Sequence, residues 1–493
     1  MSFTTQIFIF TFFPISFLLY YLVYILQTKS SLSSFLKKIR ALDCLTILIG
    51  SVFYAWACFN DVFKLILYVL LVYVLGYLIQ KYKNCSVKVT TEKDGTLNES
   101  KVSVALLILI VSIAAFLVVF VFYKFFHIVL NAFDDGVSVK ALIAPLGLSF
   151  ITFSAISYVV DIYKGKAKSG SFIDCALYLT FFPKIISGPI VLWQDFSEQT
   201  GSREINLTLI SGGILRIMIG FAKKVILADY FGSVIASMPQ AIDVPTAFLS
   251  GLLYMLQIYY DFSGYSDIAI GISNMMGYSF KENFNFPYLS CSISEFWRRW
   301  HISLGTWFKE YVYIPLGGSR KGLKRTIINT LIVFTLTGLW HGIGKNFLIW
   351  GILNGLFIVF EKSFIKSKPN KRYLHILQWL VTMIIVYFCW QIFRFNYVSN
   401  FVVWFKTLLG ISGYGTIQYT WQYFYSAKLI TMVIIGILGA TLWGLPKIRV
   451  LYNKILLTKV GFLINAVIFI LLFVLALLSL VSSTYSPFLY AQY

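Results

Sequence analysis

Residues Ser290–Gly322 read S-C-S-I-S-E-F-W-R-R-W-H-I-S-L-G-T-W-F-K-E-Y-V-Y-I-P-L-G-G-S-R-K-G, and an apolar segment that ends in T-G-L-W-H-G at 337–342 follows. This stretch holds His301 and His341, two of the four histidines in the chain. Three charged residues surround His301, namely Glu295, Arg298 and Arg299. An apolar chain keeps ionisable residues where they are hydrated, paired or used. The stretch is therefore the first candidate for a functional site.

The composition predicts a membrane protein. Hydrophobic residues make up 58% and charged residues 12% of the 493 residues, and the mean hydropathy is +0.78. Soluble domains carry roughly 25% charged residues. A helix needs about 20 apolar residues to cross a hydrocarbon core about 30 Å thick, and many such segments are present. We expect an all-α polytopic integral membrane protein.

The apolar segments outline roughly 11–13 membrane helices in one domain, residues 1–493. We place them near 5–27, 42–58, 62–80, 102–130, 141–160, 207–229, 246–276, 326–343, 346–361, 374–396, 427–445 and 460–482. Pro183 and Pro189 interrupt the apolar residues 175–193. Such interruptions are tolerated at membrane depth where protein or water covers the backbone. We predict a re-entrant or broken segment there.

The net charge of +21 does not indicate a nucleic-acid partner, because lysine and arginine cluster in short loops between apolar segments. This pattern follows the positive-inside rule. It predicts that both termini are extracytoplasmic, including a tail at residues 483–493. The six cysteines show neither metal-site nor disulfide-framework spacing.

The sequence Ser292-Ile293-Ser294-Glu295 has the spacing of a capping box, which predicts a helix start. We expect that helix to carry Trp297, Arg298, Arg299 and His301, with Trp297 and His301 on one face. The arginines would face a phosphate-rich ligand or lipid head groups. An interfacial helix without a catalytic role remains an alternative.

His341 ends the apolar segment and stands between Gly338 and Gly342, which allow close approach of other groups. Imidazole is the usual general base because its ordinary pKa is about 6.5. The alternative is a packed histidine that is hydrogen-bonded to a neighbour. Ionisable residues within the membrane favour the functional interpretation.

Two carboxylates, Asp261 and Asp267, stand six residues apart in the apolar run Tyr259–Asp267. They do not share a helical face, so an acid–base pair is not indicated. We expect them to anchor hydroxyls, arginines or backbone in a polar cavity. The chain has no H-E-x-x-H, G-x-S-x-G, Walker A or dinucleotide motif, which argues against a metalloprotease, a serine hydrolase and an ATP-driven pump.

The joint pattern resembles the bacterial branch of the membrane-bound O-acyltransferase (MBOAT) family, the branch of alginate and peptidoglycan O-acetylation. The matching segments are Phe53–Trp56, Leu146–Phe150, Phe181–Pro189, Tyr259–Asp267, Asn283–Tyr288, Glu295–Leu304 and Trp340–Gly342. The likeness covers roughly residues 40 to 400, with a core near 140–400. It implies the MBOAT fold, in which helices and re-entrant segments surround a central tunnel.

The resemblance also implies roles for individual residues. His341 matches the proposed catalytic histidine of the family, and His301 matches a second active-site histidine. Tyr490 matches a C-terminal tyrosine that relays the acyl group, although Tyr493 stands where a terminal phenylalanine is expected. The expected substrate-binding residues are Trp297, Arg298, Arg299, Trp300, Asp261, Ser263, Tyr265, Asn285 and Trp340.

The implied reaction is transfer of acetyl from cytoplasmic acetyl-CoA across the membrane toward an envelope or exported polysaccharide. No cofactor is expected to be bound permanently, and no metal. The expected partners are membrane lipid, the polysaccharide as indirect acceptor, and an extracytoplasmic SGNH-hydrolase-like O-acetyltransferase. One alternative is D-alanyl transfer from a carrier protein toward teichoic acid. Another is a polysaccharide or lipid transporter, for which we see no inverted repeats.

Overall fold

The computed structural model describes residues 2–29, 32–93, 96–133, 144–203, 205–239, 241–364, 372–411, 417 and 419–482. Tyr490, the predicted acyl relay, lies outside these residues. The described chain forms two compact units, one from Met1–Leu209 with Ser273–Phe280 and one from Ile210–Ile272 with Lys281–Tyr493. The prediction of a single domain is not tested by this division.

Helices dominate the first unit. They are α1 (Phe13–Lys29), which continues the π-helical turn Phe8–Phe12, α2 (Ser33–Lys38), α3 (Ala41–Ala57), α4 (Asp61–Lys81), α5 (Val104–Phe133), α6 (Leu148–Lys164), α7 (Phe172–Thr180), α8 (Phe182–Ile185) and α9 (Trp193–Ser197). The predicted interruption of residues 175–193 is confirmed, because Phe181 has extended backbone between α7 and α8.

One hairpin of strands was not predicted. Strands β1 (Ser86–Lys93) and β2 (Thr96–Ser103) pair antiparallel between α4 and α5, in a segment that the sequence indicated only as a basic loop. The segment Val87-Lys88-Val89 alternates apolar and polar residues, and Asp94-Gly95 is a common hairpin turn. The helix-based interpretation overlooked this signal.

Helices are the only regular secondary structure among the described residues of the second unit. Its helices are α10 (Leu207–Phe221, which begins in the first unit), α11 (Asp229–Ser237), α12 (Val244–Met275, which ends in the first unit), α13 (Ile293–Arg299), α14 (Ile302–Phe308), α15 (Gly322–His341), α16 (Lys345–Phe364), α17 (Arg372–Arg394), α18 (Val398–Leu408), α19 (Trp421–Phe424), α20 (Ala427–Thr441), α21 (Pro446–Leu456) and α22 (Lys459–Ser482). Shorter helical turns are Ala222–Ala228, Pro287–Leu289, Lys309–Tyr313 and Leu442–Gly444.

Seven described helices are long and apolar enough to cross a membrane, which confirms the all-α polytopic class. They are Phe8–Lys29, Asp61–Lys81, Val104–Phe126, Lys345–Phe364, Tyr373–Arg394, Ala427–Gly444 and Lys459–Ser482. Helices α12 and α15 are also long, at 32 and 20 residues, but are not among the seven. Both carry polar or ionisable residues that lower their hydropathy, and both contribute to the candidate site.

Close contact between α15 and α16 depends on glycine. A Cβ atom built on Gly338 would lie 2.5 Å from the carbonyl oxygen of Phe347, and one on Gly351 would lie 2.5 Å from that of Phe334. Any side chain at these positions would push the two backbones apart. The glycines therefore allow α16 to pack against the end of α15 that carries His341.

Candidate active site

Helix α13 begins where the sequence predicts. The Ser292 hydroxyl oxygen accepts a hydrogen bond from the backbone N–H of Glu295 at 3.0 Å. The Glu361 carboxylate on α16 accepts one from the backbone N–H of Ser294 at 2.8 Å. These acceptors satisfy N–H groups that a helix start leaves without intrahelical partners. The Glu295 carboxylate accepts from the backbone N–H of Cys291 at 3.0 Å, so the cap extends one residue further than predicted.

The prediction that this helix also carries His301 is wrong. Helix α13 ends at Arg299, Trp300 is extended (φ −104°, ψ 129°), and His301 adopts the left-handed conformation (φ 44°, ψ 53°) before α14 begins. Trp297 and His301 therefore do not share a helical face. A positive φ is uncommon for residues other than glycine, and such conformations cluster at functional sites.

Asn283 orients the His301 imidazole. Its side-chain oxygen Oδ1 lies 3.1 Å from His301 Nδ1 and also accepts from the backbone N–H of Ser303 at 3.1 Å. A backbone N–H can only donate, so this Asn283 atom is the carbonyl oxygen, and its amide donates to Ser266 Oγ at 2.9 Å. His301 Nδ1 must then carry the hydrogen. In the neutral ring, Nε2 is the basic nitrogen.

Burial keeps the His301 imidazole neutral. The residue is 2% exposed, and the Phe262 ring from α12 stands edge-on at 4.6 Å between ring centroids. Transfer of an imidazolium from water into such surroundings is unfavourable, and burial lowers the pKa of His301 to about 3. His301 can therefore accept a hydrogen bond at Nε2 near neutral pH while the ring stays neutral.

His341 lies in an aromatic enclosure. It is the last residue of α15 and is 3% exposed. The rings of Trp350 and Phe393 stand almost perpendicular to its imidazole, at centroid distances of 5.3 and 4.9 Å. The next residue, Gly342, approaches the Phe347 ring so closely that a Cβ atom there would lie 2.7 Å from it. Helices α15, α16 and α17 thus fix the position of this histidine together.

Trp340 connects the two histidines. Its ring centroid lies 4.6 Å from that of His341 and 6.3 Å from that of His301. The structure therefore brings together two histidines that are 40 residues apart in sequence. Trp340 was predicted to bind substrate; in the structure its side chain is 8% exposed and lies next to both imidazoles.

A cavity of about 500 Å³ adjoins His301. Trp297, Trp300 and His301 contribute to its wall, together with three cations, Arg298, Lys309 and Lys362. Within the described residues, no carboxylate lies at ion-pair distance from Arg298. The cavity therefore combines a neutral imidazole, indole rings and positive charge, which suits a ligand with both apolar and phosphate parts.

Trp297 and Arg299 on α13, both predicted to bind substrate, have hydrogen-bond or ion-pair partners within the protein. Trp297 donates from Nε1 to the Asn354 side-chain oxygen at 3.0 Å. Arg299 forms an ion pair with Glu295 at 2.8 Å and donates to the backbone oxygen of Asn285 at 3.2 Å. The Asn285 side chain is exposed. Of the two arginines, only Arg298 lines the cavity beside His301.

The predicted polar residues of α12 lie on different faces. Asp261 forms an ion pair with Lys224 at 2.8 Å, whereas the sequence predicted hydroxyls, arginines or backbone as its partners. Ser263 and Tyr265 are buried. We call His301, Trp340 and His341 the histidine cluster. The residues of α12 that reach it are Phe262, which contacts the His301 ring, and Ser266, which is hydrogen-bonded to Asn283; they are four apart on one face of the helix.

Sequence reasoning missed Asn283, Ser303, Ser266 and Asn354 as parts of the site. Asn283 and Asn285 belong to the same motif, and only the exposed Asn285 was selected. Both asparagines stand between similar apolar residues, so one sequence gives no basis for choosing Asn283 over Asn285 as the buried residue. Among the described residues, no group of three or more histidine, cysteine, aspartate or glutamate side chains could hold a metal ion.

Comparison with known proteins gives the family. A model of the membrane-bound O-acyltransferase family matches residues 1–399. The chain is 36% identical over 370 residues to "Probable alginate O-acetylase AlgI" of Pseudomonas putida, covering 71% of this chain and 76% of the relative. It is 33% identical over 307 residues to the peptidoglycan O-acetyltransferase of Helicobacter pylori, covering 55% and 58%.

A third relative is the teichoic acid D-alanyltransferase of Bacillus subtilis, 33% identical over 273 residues, or 51% of this chain and 69% of the relative. Several alginate relatives match over only about half of their own length. The family model, however, covers most of this chain and includes both histidines. The chain belongs to the membrane-bound O-acyltransferase family of multi-pass membrane enzymes.

Proposed function

We propose that the protein transfers an acetyl group from cytoplasmic acetyl-CoA across the membrane, for O-acetylation of a cell-envelope or exported polysaccharide. The observation that carries the proposal is the pair of buried histidines joined by Trp340, one of which lines a cavity with three cations. The names of the alginate and peptidoglycan relatives support acetyl as the group that is transferred.

His341 is the proposed general base. It removes the proton of the acceptor hydroxyl as that oxygen attacks the thioester carbonyl carbon of the donor. The tetrahedral intermediate then collapses, the carbon–sulfur bond breaks, and the CoA thiolate takes the proton from the imidazolium. Positioned proton transfer of this kind contributes typically about 10²–10⁴-fold to the rate.

His301 is proposed to orient the reactants. Because Asn283 holds the hydrogen on Nδ1, the neutral ring presents a hydrogen-bond acceptor at Nε2. That atom suits a hydroxyl or amide N–H of a ligand, and it cannot donate to a developing oxyanion while it is unprotonated. The hydrogen bonding therefore favours the orienting role over stabilisation of the oxyanion.

The cavity beside His301 is the proposed site of the donor. Its three cations suit the phosphates of CoA, and Arg298 is not engaged with a carboxylate of the described chain. Guanidinium groups bind phosphate oxygens through charge-assisted, often bidentate hydrogen bonds. Trp297 and Trp300 provide apolar contact for the pantetheine portion of the donor.

Tyr490 is the proposed first acceptor, as the family resemblance implies. Its phenol oxygen would receive the acetyl group and present it to an extracytoplasmic SGNH-hydrolase-like transferase that acetylates the sugar. Both termini are then extracytoplasmic, in keeping with the positive-inside distribution of the loops.

The test is mass spectrometry of the C-terminal peptide after the protein in nanodiscs is incubated with acetyl-CoA. Acetyl on Tyr490 in the wild type and its loss in His341→Ala would support donor, base and relay together. Tyr493→Phe is the matched control, since it changes the neighbouring tyrosine only. Full acetyl transfer by a well-folded His341→Ala protein would remove His341 from the mechanism.

D-alanyl transfer toward teichoic acid is the second candidate, favoured by the D-alanyltransferase relative. The donor would then be a D-alanyl carrier protein in place of acetyl-CoA. Parallel assays with acetyl-CoA and with a D-alanyl carrier protein separate the two, because only the correct donor should label the protein or its acceptor.

A further inference from the structure

A second, smaller pocket lies around Arg394, the last residue of α17. Its volume is about 230 Å³. Arg394, Ser250 and Asn400 contribute polar groups to its wall, whereas Ile242, Val403 and Trp404 contribute apolar surface. The proposed acyl transfer makes no use of this pocket.

The Arg394 guanidinium is only weakly engaged by the protein. It donates from Nη1 to the backbone and side-chain oxygens of Ser250 at 3.4 and 3.3 Å and to Gln391 at 3.4 Å. These distances are at the long end for N–H···O bonds. Among the described residues, no carboxylate lies within ion-pair distance of Arg394.

Two aromatic rings flank this cation. The guanidinium carbon lies 5.0 Å from the Phe395 ring centroid and 5.6 Å from that of Tyr254. A guanidinium has five N–H donors in a planar fork, and neutral partners and rings do not neutralise its charge. The pocket therefore presents an uncompensated cation that suits an anionic oxygen group.

The position of Arg394 in the chain is also unusual for a cation. The opposite end of α17 follows the basic loop Lys362–Arg372, which the positive-inside rule assigns to the cytoplasmic side. That rule makes cations sparse at the other end of a span, where Arg394 stands. An anionic neighbour at that end would stabilise the Arg394 charge.

The surroundings of the pocket are amphiphilic. Helix α18, which supplies Asn400 and Val403, also exposes apolar side chains; Val402 is 40% exposed, Leu409 after its end 55% and Ile411 66%. In a membrane protein such exposed residues meet lipid chains. An anionic pocket ligand with an attached apolar part fits this arrangement better than a fully hydrated sugar or a free ion.

We propose that the Arg394 pocket binds the phosphate of an anionic phospholipid at the end of α17. Bidentate contact of the guanidinium with phosphate oxygens would neutralise the charge, while the acyl chains lie along the exposed apolar residues of α18. The binding does not depend on the proposed acyl transfer. The pocket lies close to His341, because Phe393, the residue before Arg394, packs against the His341 ring.

The test is native mass spectrometry of the protein released from nanodiscs that contain phosphatidylglycerol and phosphatidylcholine. The wild type should retain phosphatidylglycerol selectively. Arg394→Gln should weaken that retention about tenfold or more, because a charge-assisted hydrogen bond contributes about 1.5–3 kcal/mol. Arg394→Lys should retain part of the binding, since it keeps the charge without the planar fork.

Two further variants separate binding from folding. Val403→Phe should fill the pocket and reduce retention while Arg394 is kept, and Arg449→Gln should leave retention unchanged, because Arg449 is exposed and does not line the pocket. Equal retention by the wild type and both pocket variants would overturn the proposal. If the wild type in phosphatidylcholine discs retained inorganic phosphate as well as it retains phosphatidylglycerol, the pocket would bind a free anion, and the proposal would be overturned likewise.

Discussion

His301 Nδ1 donates a hydrogen bond to Asn283 Oδ1 over 3.1 Å, and the same oxygen also accepts hydrogen bonds from the backbone N–H and the hydroxyl of Ser303. One buried amide therefore fixes the tautomer of His301, the orientation of its ring and the turn that gives it a positive φ. Groups that orient a functional imidazole through its second nitrogen commonly affect activity strongly, although they do not touch the substrate.

Replacement of Asn283 by leucine should lower the rate of acetyl transfer about 10- to 100-fold, because the His301 ring loses its orienting acceptor. As a positioning residue, Asn283 should affect kcat more than the KM for acetyl-CoA. The measurement is initial rates of label transfer from radioactive acetyl-CoA in nanodiscs. A thermal-unfolding curve checks that the variant is folded.

Asn285→Leu is the matched control, since Asn285 lies two residues away in the same motif and its side chain is exposed. Its rate should stay within about twofold of wild type, as expected for an exposed substitution. Equal losses in the two variants would show that the Asn283 contact has no special role in orienting the ring.

The contrast between these two asparagines shows where sequence reasoning reached its limit. Local patterns predicted local structure: composition predicted the polytopic helical class, Ser292 and Glu295 predicted the start of α13, and the prolines of 175–193 predicted a broken segment. Each of these depends on residues that are neighbours in sequence.

The failures concern contacts between distant segments. The left-handed conformation of His301 depends on hydrogen bonds to Asn283, 18 residues away, and no helical periodicity encodes that break. Asp261 and Asp267 were expected to anchor polar groups, but their lysine partners after α10 could not be predicted, because pairing between separate helices cannot be derived from spacing in one of them. The cluster of His301, Trp340 and His341 needed the fold itself.

The stability of the protein should fall with acid through His301. Burial lowers the pKa of the folded-state imidazole to about 3, whereas the unfolded chain has the ordinary value of about 6.5. Below pH about 6.5 the unfolded chain binds a proton that the folded protein does not. The free energy of unfolding should therefore decrease as pH falls, by up to about 1.4 kcal/mol per pH unit.

The measurement is the midpoint of thermal unfolding between pH 7.5 and 5.0, for the wild type and for His301→Asn, since asparagine tolerates a positive φ. The variant should lose less stability over this range than the wild type. His375→Asn is the control from outside the cluster, and it should follow the wild type. A parallel decline in all three proteins would contradict a neutral, buried His301.

Arg298 and Arg299 should behave differently although they are adjacent. Arg298 lines the cavity beside His301, whereas Arg299 is paired with Glu295. Arg298→Gln should raise the KM for acetyl-CoA about fivefold, with little change in kcat, because an exposed cation contributes about 1 kcal/mol to phosphate binding. Higher salt should reduce the difference from wild type.

Arg299→Gln serves as the matched control for charge and position. It should leave the KM for acetyl-CoA within about twofold of wild type and cost only a few tenths of a kcal/mol in stability, about the strength of an i,i+4 ion pair. If Arg299→Gln raised the KM as much as Arg298→Gln, the effect could not be assigned to contact between Arg298 in the cavity wall and the donor.

The buried ion pairs beside α12 should differ in their tolerance of substitution. Lys224 contacts both Asp229 and Asp261, and the Lys224 and Asp261 side chains are at most 2% exposed. Lys224→Met would leave two carboxylates without this cation in an apolar environment. Because an uncompensated buried charge costs about 3–5 kcal/mol, we expect a large drop in the thermal midpoint and loss of folded protein on purification.

The neighbouring lysine provides the comparison. Lys223 contacts Asp267 at 2.6 Å, but Arg216 contacts the same carboxylate at 2.9 Å and remains when Lys223 is replaced. Lys223→Met should therefore lower the thermal midpoint clearly less than Lys224→Met, although both remove one positive charge from the same turn. A larger loss for Lys223→Met would mean that Arg216 does not compensate Asp267, and that the ion pairs are not what holds α12 beside this turn.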